Sequence, residues 1–100
     1  MSEVTITRHG NDQSGEYRAH LAGETAIGRL TWVQRATDLG AARVAEHTLV
    51  PEEIGGRGVA ARLVAALVAD ARAQGFKIVP QCSYVAAQFG RHPEWADLAA

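Results

Sequence analysis

The chain has 100 residues, 47% of them apolar, and a formal net charge of -1. That apolar share excludes a disordered chain, and the length suits one domain over residues 1–100. The near-neutral balance lacks the basic excess of a nucleic-acid binder and no long apolar run is present, so neither nucleic acid nor a membrane is an expected partner.

The first half reads as strands. Val4, Ile6 and Arg8 alternate with Thr5 and Thr7, a period-two pattern. His9 to Gly15 is rich in turn residues. Tyr17, Ala19 and Leu21 alternate with Arg18 and His20 in a second strand. A third runs from about Thr25 to Gln34, with Ala26, Gly28, Leu30 and Trp32 on one face. Thr37 to Gly40 is a turn. In the fourth strand Ala42, Val44, Glu46, Thr48 and Val50 alternate with Arg43, Ala45, His47 and Leu49. Short turns between neighbours predict an antiparallel meander.

After Pro51 the period changes. Val59, Leu63, Ala66, Leu67, Asp70 and Ala71 recur at helical spacing, and Gly75 stands at the C-cap position. Phe76 to Val79 predicts a fifth strand, parallel to the fourth through a right-handed crossover and ended by Pro80. Ser83 is the expected cap of a helix reaching about Gly90. His92-Pro93 breaks it, and Glu94 to Leu98 predicts one last helical turn. The whole is an α/β (α+β) fold: a mixed, mostly antiparallel sheet of four strands, a long helix, a fifth strand and a second helix, with a short C-terminal helix.

Residues 50–75, VPEEIGGRGVAARLVAALVADARAQG, carry the strongest chemical signal. Gly55, Gly56 and Gly58 let the backbone turn sharply and approach a ligand. The helix that follows opens with unpaired amides at its positive end, which suits an anion such as a pyrophosphate. Arg57 adds a cation. The loop is neither a Walker loop, for want of Gly-Lys-Ser/Thr, nor a dinucleotide fingerprint, since it follows four strands of a meander. The plain alternative is a generic strand-to-helix turn.

Three segments resemble the small single-domain members of the GCN5-related N-acetyltransferase superfamily, the YjdJ-type group. They are His47-Thr48-Leu49-Val50-Pro51; Gly55-Gly56-Arg57-Gly58-Val59-Ala60; and Val79-Pro80-Gln81-Cys82-Ser83-Tyr84-Val85 with His92-Pro93-Glu94-Trp95-Ala96-Asp97-Leu98. Gly58 and Ala60 match the last two fixed positions of the Gln/Arg-x-x-Gly-x-Gly/Ala loop, while Gly55 replaces the usual Gln or Arg. The resemblance implies acetyl-coenzyme A as co-substrate, with no metal. It implies that the fourth and fifth strands splay around the pantetheine arm. His47, Thr48, Leu49 and Val50 would offer backbone groups there, and Arg57, Gly58, Val59, Ala60 and Ala61 would hold the pyrophosphate.

Cys82 is the sharpest candidate for chemistry. It stands just past the fifth strand beside a helix start, whose amides favour a thiolate. Two roles are open to it, nucleophile toward the acetyl group or general acid toward the departing thiolate; the plain alternative is a small buried hydrophobe. His47 is a candidate base, or simply an outward residue of a half-exposed strand. In a regular strand Glu46 faces away from His47 and cannot orient it. Tyr84 is a candidate proton donor to the leaving thiolate, or a packing aromatic. Trp95 and Phe89 read as core or lid, His92 as a turn residue, and His9 and His20 show no partners.

The expected activity is acetyl transfer to a primary amine; the alternative is a coenzyme A-binding regulatory module without turnover. Only the short turn between His9 and Gly15 stands where larger relatives carry helices that build the acceptor pocket. The acceptor side is therefore expected to be open, which suits a protein lysine or N-terminus. The lone cysteine without a zinc or disulfide partner and the lack of a basic-then-apolar leader point to a cytoplasmic location. A monomer or weak homodimer is expected.

Overall fold

The computed structural model describes residues 4–100. β1 (Val4–Gly10) pairs with β2 (Ser14–Leu21), β2 with β3 (Ile27–Thr37) and β3 with β4 (Gly40–Leu49), all antiparallel. β5 (Lys77–Val79) lies parallel to β4 after α1 (Val59–Gln74), so sheet order equals chain order. α2 (Ser83–Arg91) and a 3-10 segment, Pro93–Leu98, close the chain. The mixed, mostly antiparallel sheet with its helices is the architecture that the alternation and the late change of period predict.

The turns follow their residues. The first needs only Asn11, Asp12 and Gln13, fewer than the span predicted, because the Asn11 side-chain oxygen accepts from the amides of Gln13 at 2.8 Å and Ser14 at 3.1 Å. That is an Asx turn. β3 starts and ends later than predicted because its pairing with β4 runs on to Thr37 opposite Gly40. Gly40, at φ 104°, takes up the tight reversal.

β4 departs from the regular alternation expected of it. Thr31 pairs with His47 but Trp32 pairs with Ala45, so Glu46 is an extra residue in a β-bulge. Beyond the bulge every side chain changes face. Thr48, opposite Leu30, joins the face of Ala45, and His47 shares the face of Thr31.

α1 packs on one face of the sheet. Its buried residues Val59, Leu63, Leu67 and Ala71 meet Tyr17, Ala19 and Leu21 of β2 and Leu30 and Trp32 of β3. Gly28 sets how closely the start of α1 approaches: a Cβ there would stand 2.8 Å from Val59 Cγ1. Gly75 ends the helix at φ 81°, its amide bonded to the Ala71 carbonyl at 2.8 Å.

Asp70 lies on the buried stripe as its spacing predicts, and the sheet supplies its partners. Its carboxylate accepts from Arg8 at 2.8 and 3.0 Å and from the Tyr17 hydroxyl at 2.8 Å. The Tyr17 oxygen accepts from Arg43 at 2.7 Å, whose guanidinium stacks on Trp32 at 3.9 Å. Burial pushes the Asp70 pKa up, but the Arg8 and Tyr17 hydrogen bonds outweigh it and hold the carboxyl below its usual range. Burial, with the bond to Asp70, raises Tyr17 well above the ordinary phenol range.

Two outcomes are expected. Asp70→Asn should cost about 1.5–3 kcal/mol in urea unfolding at neutral pH, the worth of a hydrogen bond to a charged group. Because the folded pKa is lowered, that stabilisation is present above the unfolded pKa and disappears as pH falls through the folded one. The gap between wild type and variant should close as pH falls below the ordinary carboxylate range. Gly28→Ala should cost about 1–3 kcal/mol by overpacking against Val59; an unchanged melting temperature would show that α1 can give way.

Candidate active site

β4 and β5 stay together for three residue pairs, from Ala42 opposite Lys77 to Val44 opposite Val79. Pro80 then ends β5, while β4 runs on through the bulge to Leu49. The last backbone link across the widening gap is the Cys82 amide, bonded to the Ala45 carbonyl at 2.8 Å. A wedge therefore opens between Glu46–Leu49 on one side and the start of α2 on the other.

Cys82 sits in this wedge as the N-cap of α2. Ser83, expected as the cap, is instead the first helical residue, and no side chain caps the helix. The Cys82 carbonyl accepts the first helical bond, from the Ala86 amide at 2.9 Å. Its thiol donates to the Thr48 hydroxyl at 3.5 Å. Burial pushes the thiol pKa up, but the Thr48 hydroxyl and the amides of Val85 and Tyr84 favour the thiolate and bring it below the ordinary value. The two α2 amides are the helix-start effect the position predicts, and the Thr48 hydroxyl adds the largest single share.

The other candidates fall around this point. The bulge leaves Thr48 facing Cys82 and turns His47, exposed, to the opposite face. Glu46 is not held away from His47 by strand alternation, as expected, because the strand is irregular there. The Tyr84 ring packs against the core. Leu49 is 59% exposed, and Val50 packs against the core. His92 closes α2 as a turn residue, stacked on Trp95 at 4.0 Å with Nδ1 2.9 Å from Glu94. His9 and His20, expected to stand alone, both reach the Thr7 hydroxyl at 2.8 Å.

The glycine loop follows a 3-10 turn, Glu52–Ile54, whose Ile54 is fully buried. Gly55 is at φ -68°, so the left-handed turns fall to Gly56 and Gly58, at 74° and 73°. A Cβ on either of the latter two would meet nothing within 4 Å, so the loop borders open space. Gly58 is the N-cap of α1 and has no side chain to offer. The first helical bond runs from the Arg62 amide to the Gly58 carbonyl at 3.2 Å, leaving the amides of Val59, Ala60 and Ala61 outside the helical ladder. Arg57 stands beside them, half exposed, 3.4 Å from Glu24.

Segments 45–49, 82–85 and 55–61 supply the wedge, the thiol and the amide cluster. Sequence reasoning assigned Thr48 only backbone groups and missed its hydroxyl, because nothing in the alternation marks the bulge that aims it. Among the described residues no group of three or more His, Cys, Asp or Glu is placed to hold a metal ion, and no helix is long and apolar enough to cross a membrane.

No curated protein matches the chain significantly. Residues 16–98 match the family described as GCN5-related N-acetyl-transferase. That span runs from β2 to the C-terminal 3-10 segment and takes in the wedge, the thiol and the glycine loop. The chain thus belongs to the GCN5-related N-acetyltransferase family.

Proposed function

We propose that the chain transfers an acetyl group from acetyl-coenzyme A to a primary amine. The observation that carries this reading is the wedge between β4 and α2, with a thiolate-prone cysteine inside it and an uncapped helix start beyond it. The donor set fits the co-substrate. The amides of Val59, Ala60 and Ala61, with Arg57, suit a pyrophosphate. The unpaired edge of β4 from His47 to Val50 suits an amide-bearing arm, and Gly56 and Gly58 leave room for close approach. When bound there, acetyl-coenzyme A supplies an activated acyl group.

The chain's own residues then divide the work. β4 backbone amides at the bulge hydrogen-bond developing negative charge on an acyl oxygen. The Cys82 thiolate, held by Thr48 and the first amides of α2, would attack the acyl carbon and release the coenzyme A thiolate; the acceptor amine would then take the acetyl group from the cysteine, restoring the Cys82 thiolate and giving up a proton. The lowered pKa of Cys82 favours the nucleophilic role over the acid role, since the thiolate is the attacking form. His47, on the far face of β4, is placed for a proton from an amine arriving on that side. Tyr84 contributes its amide to the thiolate, and its ring to packing. A working thiolate also requires a compartment that keeps thiols reduced.

Calorimetry with acetyl-coenzyme A should show saturable binding, and mass spectrometry without acceptor should show a mass gain at Cys82. Cys82→Ala should keep the binding heat and lose about 100-fold or more of the transfer rate; an unchanged rate would remove the thiol from the reaction. Absence of binding heat in wild type would sink the transferase reading altogether. Thr48→Val should raise the thiol pKa, because it removes a group that favours the thiolate. Alkylation of Cys82 at neutral pH should slow about 2- to 10-fold, the worth of one modest hydrogen bond. A superimposable pH profile would show that the α2 amides act alone.

A further inference from the structure

α1 covers one face of the sheet, and the opposite face of β2 and β3 presents Glu16, Arg18, Thr31 and Val33. A groove of about 510 Å³ crosses this bare face. It starts at Glu46, the extra residue of the bulge, passes over Thr31 and Val33, and ends at His9 and Asn11 in the first hairpin. Spanning β4 to β1, it crosses three inter-strand gaps and is roughly 14 Å long. An elongated ligand fits that shape better than a compact one.

The charges along the groove are unequal in their commitments. Glu16 is held by both Arg18 and Arg29, so its carboxylate is already neutralised. Among the described residues Glu46 has no ion-pair partner. Glu46 is half-buried at the point where the groove reaches the wedge. Thr31, beside it on the groove floor, has a buried hydroxyl with no hydrogen-bond partner. Buried polar groups without partners are uncommon and costly. The bulge residue therefore offers one unspent negative charge on the face that His47 shares.

We infer that this groove is the acceptor site and takes an alkylammonium on an extended chain, its charged end at Glu46. The inference rests on the transferase reading and deepens it by placing the acceptor opposite α1. The alkylammonium can come from a lysine side chain of a protein or from a free aliphatic amine. Both share the recognition chemistry, a cation on an unbranched apolar stem.

The test is an amide-shift titration of the isotopically labelled protein without acetyl-coenzyme A, using a lysine-containing peptide, 1,4-diaminobutane and, as an uncharged probe, n-butanol. The amines should shift the amides of Arg18, Thr31 and Val33, and n-butanol should not. Glu46→Gln should weaken the amines about tenfold or more, since a hydrogen bond to a charged group is lost, while Glu46→Asp should retain most of the affinity. Tighter binding of the peptide assigns the acceptor to a protein; tighter binding of the diamine assigns it to a free amine. Shifts confined to other surfaces, no shift with either amine, or affinities that Glu46→Gln leaves unchanged would overturn the inference. Calorimetry with acetyl-coenzyme A on the same variants reads the donor side separately. Lost donor binding in wild type sinks the transferase reading, whereas intact donor binding with an indifferent groove sinks only the acceptor site.

Discussion

The brevity of the β4–β5 pairing governs the molecule. Three residue pairs of parallel ladder hold the two strands together, and the Cys82 amide on Ala45 makes the final backbone tie. Past that point the backbones of β4 and of the start of α2 no longer pair, and only the Cys82 thiol reaches across, to Thr48. Backbone groups left unpaired there need a partner from outside the chain. The wedge is thus created by ending β5 early, at a proline, while β4 continues. The bulge at Glu46 adds a second function: it turns Thr48 toward the thiol and His47 away from it within one step of chain.

The two ends of α1 are treated oppositely. At its C-terminal half the helix is fastened by a charged network in which Asp70, Tyr17, Arg8 and Arg43 satisfy one another. At its N-terminus no side chain caps it, and Val59 is pressed against the vacancy left by Gly28. Rigid anchorage behind and uncommitted donors in front suit a helix that receives an anion, because the amides need no rearrangement to meet it.

Much of this could be read from residue order. Strand alternation gave the meander because each hairpin is short and one face is consistently apolar: Tyr17, Ala19, Leu21, then Gly28, Leu30, Trp32. The helical stripe was legible even at Asp70, whose spacing marked it as inward although its charge argued otherwise. Its partners were not legible, since Arg8 and Tyr17 lie far away in the chain and only the sheet register brings them in. The bulge was equally hidden. A period of two carries no mark where one residue is skipped, so the faces of His47 and Thr48 came out reversed relative to the start of the strand. Cys82 was placed correctly next to a helix start, but the capping position belonged to it and not to Ser83. Thr7 meets His20 across the β1–β2 pair, an adjacency that leaves no trace in sequence distance.

The last residues have a structural task as well. Ala99 bridges Ile78 in parallel and the Ala100 amide bonds the Ile78 carbonyl at 2.9 Å, while Arg72 and Lys77 grip the segment at Glu94 and Asp97. The tail thereby lies along the outer margin of β5 and spends the hydrogen bonds that a foreign strand would seek. Edge-to-edge joining of copies is thus blocked on that flank and left to β1.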